Sequence, residues 1–131
     1  MNEVFTMQHP AISSKVSLYK MLADEKRINI LRYLNEAGLC VCDLEALLGI
    51  SQPAVSQHLR KLKQANIITS HKHDQWHIYS IHDGYEHHEH LLHILNELPS
   101  AEQDVADITA QGIRSRCSIE ITEIRFLEKK N

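Results

Sequence analysis

Cys40 and Cys42 stand one residue apart in the run Cys40-Val41-Cys42-Asp43, and they are two of only three cysteines in the chain. Thiolates are soft donors that select soft, thiophilic ions. Trivalent arsenic or antimony is satisfied by two or three sulfurs and exchanges its oxygens for thiols without stranding charge, whereas closed zinc or cadmium sites usually want four ligands. Three cysteines fit the first demand better. An odd count with such close spacing is no secreted disulfide framework and points to a reducing, cytoplasmic setting. In a regular helix, residues i and i+2 point about 200° apart. The two sulfurs can therefore grip one atom only if the backbone just ahead of Asp43 is extended or unwound. The bland alternative is a pair of small buried residues.

A second constellation lies immediately downstream. Between Gly49 and His73 the chain carries Arg60, Lys61, Lys63 and Lys72 and no Asp or Glu, although the whole protein has a formal charge of −3. Without those four, 10 cationic side chains face 17 carboxylates, a formal −7. A basic surface on an acidic protein is a docking site for a polyanion, because neutralising phosphates releases counterions. Gln pairs bidentately with adenine and Arg with guanine in the major groove, while Lys mostly contacts phosphate. Ser51, Gln52, Ser56, Gln57, His58 and Arg60 are the candidates for base edges and nearby phosphates, with Lys61, Lys63, Lys72 and His73 as phosphate contacts. A solvated helix face is the competing reading of the charges alone, and His58 has a competing role as a helix-stabilising histidine.

These residues need elements to position them. A chain of 131 residues with 43% apolar and 24% charged residues fits one globular domain. No stretch approaches membrane-spanning length, and the N-terminus lacks a signal-peptide apolar run. Residues 1–13 read as a loose arm closed by Pro10. Helical periodicity begins at Ser14 with Val16, Leu18, Met21 and Leu22. Asp24 caps a second helix carrying Ile28, Leu31 and Leu34, and Gly38 follows its end. Residues 43–48 predict a short helix with Asp43 as N-cap. After the Gly49-Ile50 turn, Ser51 caps a longer helix with Pro53 in its first turn and Val55, Leu59 and Leu62 facing inward. Helix, glycine-containing turn, helix is the helix-turn-helix arrangement. Two β-rich segments, 67–71 and 76–81, flank the polar Lys72-His73-Asp74-Gln75 and predict a hairpin, which makes the whole a winged helix: mainly α with a two-stranded β-wing. Leu91, Leu92, Ile94, Leu95 and Leu98 predict a further helix stopped by Pro99. Its wide apolar stripe suggests burial against a second subunit. The division is thus an arm at 1–13, a DNA-binding and dimerisation domain at 14–98, and a C-terminal extension at 99–131. In that extension the stretch from Ala101 to about Gly112 reads as helical, and 118–122 as strand or helix.

Cys40-Val-Cys-Asp-Leu44, then Ser51-Gln-Pro-x-x-Ser-x-His-Leu59, then Gln75-Trp-x-x-Tyr79, resembles the ArsR/SmtB family of sensor-repressors in unbroken order over residues 14–98, and Leu22-Ala-Asp-Glu-Lys-Arg27 is similar to its second helix. The resemblance implies a homodimer joined through terminal helices, bound to double-stranded operator DNA with an inverted repeat and released by inducer. It lies nearest the arsenic-responsive branch, with As(III) or Sb(III) as inducer. The runner-up is a Cd(II), Pb(II) or Zn(II) sensor using Cys plus His ligands. The chain departs from the pattern in two places: position 45 is Glu where arsenic repressors often carry Cys, and residues 1–13 lack the arm cysteines of the cadmium/lead branch. Cys117 is the remaining candidate third sulfur, from its own subunit or the other; otherwise it is an unpaired thiol. A thiol redox or persulfide sensor is a further alternative, but such members resemble a design with one cysteine in the second helix, about where Arg32 stands.

Eight of the ten histidines fall between His71 and His93. His87, His90 and His93 recur every three residues and form a second candidate metal site, set against a merely hydrated face. The family's zinc-type pattern, Asp-x-His with a distant His-x-x-His or Glu, fails here, because Ser80 and Asn96 occupy two of its positions. Nothing in the sequence suggests a phosphate loop, nucleophile elbow or substrate cleft, so an enzyme is not expected.

Overall fold

The computed structural model describes residues 9–110. Six helices and one hairpin follow in the order α1 (Pro10–Leu22), α2 (Glu25–Leu34), α3 (Val41–Leu48), α4 (Gln52–Gln64), β1 (Ile68–His73), β2 (Trp76–Ile81), α5 (His88–Asn96) and α6 (Glu102–Ala110). Leu18, Ile30, Leu31, Leu44, Val55, Leu59, Leu62, Ile67 and Leu91 are fully buried in one core that draws on all six helices and, through Ile68 and Ile81, on both strands. Burying a leucine or isoleucine stabilises by about 1.5–3 kcal/mol, whereas helix propensities differ by tenths. Packing, more than propensity, therefore holds these short helices.

Several boundaries differ from the sequence reading. α1 starts at Pro10, not Ser14: His9 is its N-cap, and its Nδ1 accepts the Ala11 N–H at 3.2 Å, while Pro10 sits where a missing N–H costs nothing. Residues 10–13 are thus helical, and 1–8 lie outside the described residues. α3 is capped by Cys40 with extended backbone (φ −94°, ψ 173°), and Asp43, expected as the cap, is its third helical residue. α2 and α4 begin as expected, with Asp24 Oδ1 accepting from Arg27 N–H at 3.1 Å and Ser51 Oγ from Ala54 N–H at 3.3 Å.

The two strands pair antiparallel from Ile68↔Ile81 to His73↔Trp76, leaving only Asp74 and Gln75 between them. The expected four-residue link shrinks because Asp74 adopts φ 55°, a left-handed conformation that Asp tolerates and that matches the twist of a tight hairpin. Leu39 forms an isolated antiparallel bridge to β2: its N–H donates to Tyr79 O at 3.0 Å and its carbonyl accepts from Tyr79 N–H at 2.8 Å. α5 ends at Asn96, before Leu98, and Arg32 fastens the chain beyond it by donating from Nε to Pro99 O at 2.9 Å. The helix expected from Ala101 is present as α6, which packs on α2 and α3. The uncertain stretch 118–122 lies outside the described residues.

Gly49 ends α3 with φ 67°, and a Cβ there would meet no atom within 4 Å. Its demand is conformational, not steric. Gly49→Ala is expected to lower the stability of the fold by about 1 kcal/mol, read as a reduced urea midpoint at unchanged m-value.

Candidate sulfur site and nucleic-acid interface

The extended backbone at Cys40 and the helical backbone from Val41 onward solve the geometric problem posed by the i, i+2 spacing. Cys40 is the last residue outside the helix and Cys42 is the second within it, so their sulfurs converge to 2.7 Å instead of diverging. That separation is a contact; a covalent S–S bond would be about 2.05 Å. Asp43 Oδ2 accepts the Cys40 N–H at 3.1 Å and lies 3.3 Å from Cys40 Sγ. One sulfur or oxygen from each of Cys40, Cys42 and Asp43 lies within 4.8 Å of the other two, the convergent ligand group found among the described residues. Cys40 and Asp43 are each 1% exposed, and Cys42 is half-buried, so the site opens on the Cys42 side. Ile78 and Trp76 of β2 pack against the two cysteines. Cys117, the candidate third sulfur, lies outside the described residues.

The second constellation spreads along α4 and the hairpin. Gln57, Arg60, Lys61 and Lys63 are exposed, and Val55, Leu59 and Leu62 hold the opposite face in the core. Gln52 Nε2 donates to Ser56 Oγ at 2.9 Å, which orders two polar side chains in the first turn. Ser51 spends its hydroxyl on the cap. Lys63 Nζ donates to Ser70 Oγ at 2.8 Å, linking the end of α4 to β1. Further out on that face of the hairpin, exposed Lys72 pairs across strands with exposed His77. His73 is half-buried, with Nε2 3.8 Å from Asp74 Oδ2. His58 sits apart from the exposed group: it is half-buried, and Asp24, Arg27 and Lys26 at the start of α2 act on it. Burial holds its imidazole below the ordinary 6.5, with Asp24 opposing that shift. Asp24 is itself held below its ordinary 3.8, chiefly by the Arg27 N–H. The sequence reading missed Ser70 and His77, because a strand's partner face is known only once the register is fixed.

The three histidines of the second candidate site are not brought together. His87 precedes α5 as its N-cap, with Nε2 2.7 Å from Ser14 Oγ and its ring edge-on to Tyr85. His90 Nε2 lies 3.1 Å from Tyr19 Oη, and His93 Nε2 lies 3.5 Å from Glu97 Oε2. A step of three residues turns a helix by about 300°, so successive members of such a row drift by about 60°. Each finds a different neighbour. Nor does Ser14–His87–Glu86 form a nucleophilic relay: Glu86 Oε2 approaches the same nitrogen as the serine, at 3.7 Å, so it cannot orient the ring from behind. No helix among the described residues is long and apolar enough to cross a membrane.

Helix, turn, helix and wing in this order define a winged helix-turn-helix protein. Residues 24–70 match the family described as bacterial regulatory protein, arsR family. Over 62 residues the chain is 44% identical to the arsenical resistance operon repressor of Escherichia coli K12, covering 47% of this chain and 53% of that protein. It is 32% identical over 96 residues to the arsenical resistance operon repressor of Staphylococcus xylosus, covering 73% of this chain and 83% of that one. Among solved structures, that of the antimony-specific transcriptional repressor AntR superposes with a TM-score of 0.57 at 28% identity, over 73% of this chain and 88% of the other. The chain belongs to the arsR family of bacterial regulatory proteins. It spans little more than half the length of several curated relatives it matches.

The half-buried His58 has a measurable consequence. A depressed folded-state pKa means that the unfolded chain takes up the proton first as pH falls. The stability associated with neutral His58 is therefore complete above 6.5 and is lost as pH drops through the lower folded-state value. His58→Gln is expected to flatten the decline in urea midpoint between pH 8 and pH 5 relative to the parent chain.

Proposed function

We propose that this chain is a cytoplasmic transcriptional repressor that holds operator DNA through α4 and the wing, and lets go when As(III) or Sb(III) bridges Cys40 and Cys42. The observation that carries this reading is the meeting of two sulfurs at the N-cap of α3, the helix that leads into α4 through a single glycine turn. A thiophilic atom captured there perturbs the start of α3, and α3 packs directly on α4. That supplies two states and a differential contact, the requirements of an allosteric device. The names of relatives, arsenical resistance operon repressors and an antimony-specific repressor, support this choice of inducer. Cys117 is proposed as a third thiolate.

Gln52, Ser56, Gln57 and Arg60 are proposed to face base edges, with Ser51, His58, Lys61, Lys63, Lys72 and His73 toward phosphates. A homodimer places two such helices about 34–36 Å apart and reads an inverted repeat. The exposed Ile12, Val16 and Tyr19 on α1 give an apolar stripe for that dimer to cover. A second reading, Cd(II), Pb(II) or Zn(II) as inducer, is favoured by the Asp43 oxygen beside the sulfurs; with it the site offers two soft donors and one hard one.

Gel-shift release from the native promoter, with arsenite, antimonite, cadmium and zinc compared side by side, tests the reading. Arsenite or antimonite is expected to release DNA at the lowest concentration, and the Cys40→Ser, Cys42→Ser double variant is expected to stay bound. Release of that variant by arsenite as readily as the parent would refute the sulfur mechanism. Arg60→Ala is expected to cost about 1–3 kcal/mol of specific binding. Lys63→Ala is expected to weaken all sequences alike and to reduce the salt slope by about one.

A further inference from the structure

We infer that Asp43 is a positioning residue for the sulfur pair: its carboxylate fixes Cys40 in the extended N-cap conformation that brings the two sulfurs together. The inference deepens the proposed sensing role and rests on it for the identity of the ligand. Three observations converge on one oxygen. Asp43 Oδ2 accepts the Cys40 backbone N–H at 3.1 Å, lies 3.3 Å from Cys40 Sγ, and belongs to a side chain that is 1% exposed. The backbone contact sets the Cys40 rotation, and the sulfur contact sets the direction of its side chain. Cys42, carried on the first turn of α3, then has its sulfur 2.7 Å away. A dithiol ligand thus meets donors already aligned and need not spend binding energy on ordering them.

In the reduced chain the aligned sulfurs can exchange with the oxygens of a trivalent arsenical. When As(OH)3 takes both sulfurs, two As–S bonds form, two As–O bonds break, and the two thiol protons leave with the two hydroxyls as water. No oxidant or reductant is required. Asp43 Oδ2 keeps the Cys40 N–H throughout, so the extended N-cap that aligns the sulfurs persists as the ligand enters.

The test uses the full, reduced chain with phenylarsine oxide, a dithiol-bridging probe, as ligand and no DNA present. Asp43→Ala is expected to lower affinity for the probe by about 10–100-fold, the usual cost of losing an outer partner of a ligand residue. Asp43→Asn, whose amide oxygen still accepts the Cys40 N–H, is expected to lose far less. After reduction and denaturation, iodoacetamide should alkylate Cys40 and Cys42 completely in both variants, which shows that both thiols are present and only their alignment in the fold has changed. Hydrogen exchange in the parent chain supplies a readout that does not depend on the Ala variant folding: the Cys40 amide should be protected, as its hydrogen bond to Asp43 requires. Undiminished probe affinity in Asp43→Ala, an Asn variant as weak as Ala, or an unprotected Cys40 amide would each overturn the inference. If arsenite releases the parent from DNA while Asp43→Ala binds the probe normally, Asp43 has no positioning role and the repressor reading stands. If the probe depends on Asp43 but arsenite leaves DNA bound, the repressor reading falls and the positioning role stands.

Discussion

The structure turns on one change of backbone conformation, from the extended Leu39-Cys40 to the helical Val41-Cys42. Leu39 must be extended because both its backbone groups are spent on Tyr79. Cys40 remains extended at ψ 173° and gives its N–H to Asp43. A helix begun one residue earlier would break that hydrogen bond and separate the sulfurs; one begun later would leave Cys42 outside the first turn. A helix start always presents orphan N–H groups that need partners, and here the Cys40–Asp43 contact places the sulfur pair as it caps α3.

The short helix that follows is a fitting place for a signal. With eight residues, α3 is too short to be stable alone, and it exists because Leu44 is buried and because α2, α4 and α6 pack around it. Its first turn carries the sulfurs and its last meets α4 through Gly49, whose left-handed conformation fixes the angle between the two helices. Little slack lies between one end and the other. Close-packed interiors transmit displacement, and on the proposed mechanism the path from Cys42 would run to the buried side of α4, where Val55, Leu59 and Leu62 sit.

How much of this was legible from residues alone depends on the range of the interaction involved. α2 and α4 could be bounded closely because their caps, Asp24 and Ser51, bond to N–H groups within three residues. The convergence of Cys40 and Cys42 could be anticipated as a geometric requirement, since i, i+2 spacing admits no other way to share a ligand. The identity of the α3 cap could not. Asp is the stronger cap by propensity, and only the Leu39–Tyr79 bridge, a contact across 40 positions, pulls Cys40 into that role. The histidine row failed for a related reason: spacing alone placed His87 on α5, whereas its contact with Ser14 of α1 holds it at the helix boundary. The hairpin turn was misjudged by two residues because Asp74 tolerates a left-handed backbone that most residues avoid.

The bridge that displaces Asp43 from the cap also gives the sulfur site a second mechanical outlet. Leu39 is hydrogen-bonded to β2 at Tyr79, and Cys40 packs against Ile78 of the same strand. β2 in turn carries His77, opposite Lys72, toward the tip of the wing. On the proposed mechanism, Cys40 is therefore connected to the DNA surface by two routes, through α3 into α4 and through Leu39 into the wing. The two routes leave the same residue in opposite chain directions, so a rotation at Cys40 moves them relative to each other. Lys63 and Ser70 span that junction with a single hydrogen bond of 2.8 Å. That bond is exposed, so water competes for the ammonium donor at the junction between α4 and the wing.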